Sequence, residues 1–521
     1  MMASEEPLLN MEDIQGNVLE GFNKPWQYLA GLWILDVPKA KAWLRELAES
    51  ITTLREVRDY KIAHLRGARR GSSAPPPACW LSVAFSWDGI KKLAKVSGQG
   101  FDRAFVQGQW RRSISHLGDP AGPKRPGWIG EWKVGGSNAK TPDIFLIVAA
   151  DRKADLDRRV AAMLASLPKS GLEKRYDDPG GDLPARLGLQ GHEHFGFKDN
   201  LSRPRVRGRV SDKPGDFFAA RMPGIPQSPA LPEFARPGEP LVWPGQFVLG
   251  YPTQSKTDPR LSNPSLPLAP AWLKDGSYLV FRRLRQDVAL FRRFVSDQTR
   301  TLRKRLALRG LTEEKFAAML IGRWKSGAPL SLSPAKDDAK LAQSLVANDF
   351  LYLGTPWPTS HPSPPDFEGL RCPVSAHIRK VNPRDQGTDF GPPADSLRRL
   401  MLRRGIPYGP ALSAGEENDP KKAGVDRGLL FLSYQSSITA SFEAIMQGWA
   451  NSTAGPTPPP GYDVLLGSNP GPGHERFALL KFPRAEASVV TSSAFVYATG
   501  GGYFFTPSIS AIRQHLAGPG I

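Results

Sequence analysis

Between Cys372 and Gly409 the chain reads CPVSAHIRKVNPRDQGTDFGPPADSLRRLMLRRGIPYG, a single histidine, His377, set among arginines and a lysine. A closed zinc site wants four His, Cys or carboxylate ligands, and no second His or Cys follows His377 at ligand spacing. A haem iron, by contrast, can be held from the protein side by one neutral imidazole. Arg379, Lys380 and Arg384 lie within a few residues and suit the two propionates such a cofactor carries, because guanidinium forks match carboxylates bidentately. Past the break Gly391-Pro392-Pro393, the segment Ala394 to Arg404 predicts a short helix stopped by Gly405 and Pro407, with a terminal arginine able to reach a buried oxygen ligand. Histidine also sits freely on surfaces and in satisfied core positions, so the spacing alone leaves both readings open.

The motifs themselves narrow the choice. CPVSAHIRKVNPR followed by RRGIPYG resembles the proximal signature of the dye-decolourising peroxidases, a haem family. The resemblance makes His377 the iron ligand and, aligned on Pro407-Tyr408-Gly409, makes Arg403 the arginine of the opposite, peroxide-binding face, with Arg404 its neighbour and competitor; Arg379 and Arg384 are cofactor-binding candidates on their charge. EHFGFKDN, Glu193 to Asn200, is similar to the family's Gly-x-x-Asp-Gly, with Gly196 and Asp199 matching, which implies a distal acid-base role for Asp199. Asn200 stands where the family has Gly, a mild departure because Asn tolerates positive φ. A turn-capping Asp is the alternative reading of Asp199. Glu443 resembles the carboxylate that takes the second ring N–H of a ligating histidine, and reads equally as a surface Glu on its helix. His192 and His194 would share a strand face with Glu193 pointing the other way, short of a closed metal site.

The positioning elements follow from periodicity. Tyr28 to Val37 then Lys39 to Ile51, Cys79 to Phe85 then Asp88 to Val96, and Asp143 to Ala150 then Ala154 to Leu167 each read as a strand followed by a helix. Such alternation predicts an α+β arrangement with helices packed on a sheet. The opening DIQGNVLEGF (Asp13 to Phe22), GQFVLGYP, IGRWKSGAPL and the closing GGGYFFTPSISAIRQHL also resemble family segments. What the family implies is two ferredoxin-like domains with antiparallel sheets, a dimeric α+β barrel-like fold, divided here as 1–185 and 186–521, with the haem held mainly by the second. Asp177 to Pro244 and the Pro-rich Ser452 to Asp463 read as connectors and loop. Leu429 to Tyr434 predicts a buried strand, followed by a helix with Ile438, Phe442, Ile445, Met446 and Trp449 on one apolar face.

Composition sets bounds. At 521 residues the chain is ample for two cores. No apolar run approaches the roughly 18 residues of a membrane span, and the acidic N-terminus shows no secretory signal, so a cytoplasmic location is expected. Two cysteines, Cys79 and Cys372, are expected as free thiols. The net charge of +19 reads as a basic solvated surface, since the basic helix near Gln298–Arg309 lacks the interleaved aromatics of a nucleic-acid reader.

The resemblance thus implies a peroxidase using one haem b per chain, hydrogen peroxide and a small-molecule reductant such as a phenol or anthraquinone-type dye, with no nucleic-acid or membrane partner and compatible with an oligomer. A free aspartate titrates near about 3.9, so activity is expected to be greatest at acidic pH. The competing readings are a haem- or iron-handling protein of the same fold and a cofactor-free basic nucleic-acid binder.

Overall fold

The run Ile144–Ala150 has no polar face because both sides of its sheet are covered. In the computed structural model, which describes residues 5–70, 75–219, 234–354, 363–456, 461–467 and 475–518, this run is one of nine strands in the main sheet. They are β1 (Trp26–Ile34), β2 (Cys79–Phe85), β3 (Ile144–Ala150), β4 (Leu172–Gly181), β5 (Ser277–Gln286), β6 (Leu402–Arg403), β7 (Ile406–Tyr408), β8 (Gly428–Gln435) and β9 (Val496–Thr506). The order is β6-β8-β5-β9-β2-β3-β1-β4, every ladder antiparallel, with β7 also paired to β8. The four strands up to Gly181 are contiguous in the sheet, as are the five after it, and the pair Phe505↔Phe85 joins the two sets.

Alternation decides what each face meets. Ile144, Leu146 and Val148 pack with Leu32, Leu81 and Val83 beneath the helices Val37–Ala48 and Lys153–Ser166, which contribute Ala40, Leu44, Leu156 and Met163. Phe145, Ile147 and Ala149 point the other way, into a core with Leu29, Phe281, Leu432 and Phe504. There Phe145 lies 4.7 Å from Phe504 and 4.9 Å from Phe281, centroid to centroid. Each buried Leu, Ile, Val, Met or Phe among them stabilises the fold by roughly 1.5–3 kcal/mol.

The sheet curls until β7 meets β4. A Cβ added at Gly180 would fall 2.5 Å from Ile406 Cγ2, so only glycine permits this approach. Buried Arg283 of β5 ties the same region together, its Nε donating to Asp178 of β4 at 2.6 Å and its Nη2 to Asp426 at 2.8 Å. Gln15, in the opening motif, donates to Val83 O (3.0 Å) and Pro507 O (2.9 Å) and accepts from Ser82 Oγ and Val83 N, so it clasps β2 to the segment leaving β9.

One predicted element is different. The segment from Ala394 to Arg404 is a 3₁₀ turn, Pro393–Arg399, followed by strand β6, in which Arg403 pairs with Ser433. Edge pairing with β8 overrides the weak helical pattern of this arginine-rich stretch. The predicted apolar helix face after β8 is buried as expected, although its turns, Thr439–Glu443 and Ile445–Ala450, are π-wound. Residues 220–233 of the long connector and 457–460 of the Pro-rich loop lie outside the described residues. No helix among the described residues is long and apolar enough to cross a membrane.

Candidate active site

The outward-facing residues of the second set of strands, Leu284 and Gln286 of β5, Phe431 of β8 and Ala498 of β9, form one wall of a cavity of about 360 Å³. His377, Asp199, Arg403 and Arg384 all line it. Its walls are mostly apolar, with Ile378, Val381, Leu397, Phe442 and Met446 among them.

His377 opens the short helix His377–Val381. Its Nδ1 donates to Asp463 Oδ2 at 2.7 Å, and Asp463 Oδ1 in turn accepts the backbone N–H groups of Leu465 (3.0 Å) and Leu466 (3.1 Å). Burial opposes a charged ring, but the charge and hydrogen bond of Asp463 outweigh it, raising the His377 pKa; Asp463, buried yet facing His377, is lowered. The bond fixes the ring's orientation and tautomer, and among the described residues Nε2 has no protein partner, which leaves it to a metal. Asp463 was not foreseen. It lies 86 residues beyond His377 at the end of a Pro-rich loop, and its one local signal is an Asp directly before an apolar run.

Glu443, the carboxylate assigned to this task from the sequence, does something else. Its Oε1 and Oε2 accept from Arg112 Nε (2.7 Å) and Nη2 (2.6 Å), and Oε1 accepts from Tyr503 Oη at 2.9 Å. The cavity is walled instead by its neighbour Phe442. Arg379 is likewise withdrawn: fully buried, it donates to Cys372 O (2.7 Å), Asp366 O (2.8 Å) and Gln386 Oε1 (3.0 Å), and so braces the His377 segment from behind. Lys380 also turns away, to Ser452 O and Gly455 O. Arg384 does reach the cavity, with φ +54°, its guanidinium 3.8 Å over the Phe350 ring and donating to Asn348 O and Phe350 O. Arg323 and Arg399, not singled out in the sequence, add positive charge to the lining.

Opposite in role is the Asp199–Arg403 pair, whose Oδ1 and Nη1 lie 3.5 Å apart. The Asp199 turn is held by Glu193, whose carboxylate accepts from Phe195 N and Phe197 N at 2.9 Å each and from Gln286 Nε2 at 2.5 Å. Gly196 (φ +92°) and Asn200 (φ +63°) carry the positive dihedrals, and Asn200 N–H donates to Asp199 Oδ1 at 2.6 Å. Asn in the family's glycine position is therefore accommodated.

Strand alternation separates the adjacent arginines. Met401 and Arg403 face the cavity, whereas Leu402 enters the inner core and Arg404 turns to the N-terminal motif, donating to Asn17 O, Val18 O and Leu19 O at 2.9 Å each. Gly21 (φ +72°) makes room, since a Cβ there would lie 2.4 Å from Arg404 Nε. His194 is buried against Tyr408 O (2.8 Å) and pushed down to about 4 by burial, while His192 is half-buried, its Nδ1 against Gln190 O at 2.9 Å. The described residues hold no cluster of three metal-binding side chains.

The fold and this constellation have known counterparts. The family model described as the DyP dimeric alpha+beta barrel domain matches residues 13–177, and that described as Dyp-type peroxidase, C-terminal, matches residues 252–457. "Peroxidase 2" of Mycetinis scorodonius is 31% identical over 526 aligned residues, covering 98% of this chain and 88% of its own. A "Dye-decolorizing peroxidase" of Mycena epipterygia is 31% identical over 528, covering 98% and 87%. A solved structure of an ancestral D-type dye-decolorizing peroxidase superposes with a TM-score of 0.77 at 31% identity, over 98% of this chain and all of that one.

Proposed function

Since the chain belongs to the dye-decolourising peroxidase family and is a haem peroxidase, we propose that its cavity takes one haem b per chain on His377 Nε2 and that it oxidises phenols and dyes with hydrogen peroxide, best at acidic pH. The observation that carries this reading is the meeting of a carboxylate-anchored imidazole and an Asp–Arg pair in one apolar cavity. The lining fits such a group in three further respects. Arg323, Arg384 and Arg399 offer cations to propionates, the apolar walls suit a porphyrin, and the buried Ser396 Oγ lines the cavity with no hydrogen-bond partner among the described residues.

When bound, the haem supplies the metal that peroxide coordinates and stores the two oxidising equivalents. The protein's part is proton and charge handling. Cleaving the O–O bond requires a proton to move from the inner to the outer peroxide oxygen, and the Asp199 carboxylate accepts and returns it. Arg403, 3.5 Å from Asp199, stabilises the negative charge that develops on the departing oxygen. Asp463 keeps the His377 ring electron-rich and oriented. Two one-electron oxidations of an outside donor complete the turnover. The free thiols Cys79 and Cys372 support a reducing compartment, and the cytoplasm is the location we propose.

The test is an absorption spectrum of the purified protein with and without peroxide, followed by turnover. A Soret band that responds to peroxide and is lost in His377→Ala is expected. Asp199→Ala should lower turnover by about 10²–10⁴-fold. A protein without the band, or an Asp199→Ala variant of unchanged rate, would overturn the assignment.

A further inference from the structure

Asn200 stands where the family has glycine, and its side chain does something a glycine could not. Held at φ +63°, it presents Oδ1 to Arg203, whose Nε donates to it at 2.6 Å. The tether fixes the Arg203 guanidinium in the wall of the cavity that Asp199 and Arg403 also line. Its outer edge, Nη1 and Nη2, meets no acceptor among the described residues.

The carboxylates nearby are already engaged. Glu239 accepts from Arg205 Nε at 2.7 Å, Asp199 Oδ1 faces Arg403 Nη1 at 3.5 Å, and Glu193 is taken up by Phe195 N, Phe197 N and Gln286 Nε2. Of Arg203, Arg205 and Arg403, Arg203 is thus the one without a carboxylate partner among the described residues. Burial, then the charges of Arg205 and Arg403, push its pKa down to about 10, so it stays charged through the neutral and acidic range. A half-buried cation repelled by its neighbours gains from an anion brought to its open edge, and the planar fork matches a carboxylate with two parallel hydrogen bonds. Leu201, Pro204 and Pro240 line the same cavity and offer apolar surface to an aromatic ring.

We propose that Asn200 and Arg203 form an anion subsite in the cavity, which seats the carboxylate of a small phenolic acid as reducing substrate and makes Arg203 the residue that sets the charge preference among donors. The proposal rests on the peroxidase reading, which supplies the oxidant. The carboxylate is an anchor and keeps its electrons. What is oxidised is the donor's phenol, which loses one electron and the proton of its O–H bond and leaves as a phenoxyl radical. Two donors supply the two electrons and two protons that turn one peroxide into two waters. A donor bearing a cation instead meets the like charges of Arg203 and Arg403 and is disfavoured.

Two measurements on the holoenzyme test it. Isothermal titration calorimetry without peroxide, at about pH 6 where a carboxylate is ionised, should show p-hydroxycinnamate binding that weakens about tenfold or more in Arg203→Gln and weakens in the native protein as salt rises. Steady-state turnover then compares p-hydroxycinnamate, p-cresol and tyramine, which are anionic, neutral and cationic, and the native KM should rise in that order. Arg203→Gln should raise KM for p-hydroxycinnamate about tenfold relative to KM for p-cresol, with the ratio of the two kcat values held. Arg203→Lys, which keeps the charge without the fork or the tether, and Asn200→Gly, which keeps the fork without the tether, should each raise that KM ratio by a smaller factor. Calorimetric affinity and KM ratio indifferent to both Arg203 variants, or a native protein that ranks the three donors equally, overturns the subsite and leaves the peroxidase reading standing. A native protein that oxidises none of the three overturns the peroxidase reading and the donor's role with it, the anion site itself then being decided by the calorimetry alone.

Discussion

Arg403 and Arg404 are adjacent in sequence and predicted to fail in opposite ways when each is replaced by leucine. Arg404 is 5% exposed and satisfies the carbonyls of Asn17, Val18 and Leu19, so its loss strands three buried acceptors. At the low end of roughly 1 kcal/mol for each unsatisfied group, the cost is about 3 kcal/mol. For a urea m-value of about 3 kcal/mol/M this lowers the midpoint by about 1 M. The Arg403 side chain is 38% exposed and its contact with Asp199 is 3.5 Å, a pair worth about 0–1 kcal/mol to folding. Arg403→Leu should therefore unfold at nearly the native midpoint and yet lose about 10²–10³-fold in peroxide-dependent kcat. Urea titration followed by circular dichroism, with stopped-flow turnover on the same preparations, reads both quantities. The assignment of the two side chains is refuted if Arg403→Leu proves as fragile as Arg404→Leu, or if it keeps its rate.

Three other outcomes follow from the same geometry. Asp463→Asn replaces a charge-assisted bond to His377 with a neutral one and should weaken haem retention about 10–100-fold, read as the rate of haem transfer to apomyoglobin. Glu443→Ala should cost about 3–5 kcal/mol by leaving Arg112 buried and unpaired, with the Soret position unmoved because Asp463, not Glu443, holds the ligand. Glu193 is pushed up to about 7 by burial, the Asp199 charge adding to it. A carboxyl whose folded pKa exceeds its ordinary value stabilises fully below about 4.3, and that contribution is lost as pH rises through about 7. Glu193→Gln should accordingly flatten the pH dependence of stability between pH 5 and 8 and gain on the native protein at the upper end, by urea titration at each pH.

Strands buried on both faces were the most legible part of the chain. Cys79–Phe85 has the bounds its apolar pattern predicts, and Ile144–Ala150 differs by one residue, because such runs have no competing helical reading. The segment after Gly391 was misread because LRRLMLRR satisfies a helical pattern, and pairing with a strand some 30 residues later decides otherwise. His377, Asp199 and Arg403 were legible as motifs, and they do line one cavity. Asp463 and the true partners of Glu443 and Arg379 were not. His377–Asp463 and Arg112–Glu443 join residues 86 and 331 positions apart, and nothing local in a helix or loop encodes which distant charge its side chain will meet.

The meeting of β7 with β4 at Gly180 bears on how the chain comes into being. While synthesis has reached only the first four strands, the outer edge of β4 is bare, and its main-chain groups are open to any extended segment nearby. The later strand that shields it arrives more than two hundred residues afterwards. A fragment stopping near residue 185 should therefore be sticky where the whole chain is not, and vulnerability to misassembly is concentrated in the interval before the second half folds back.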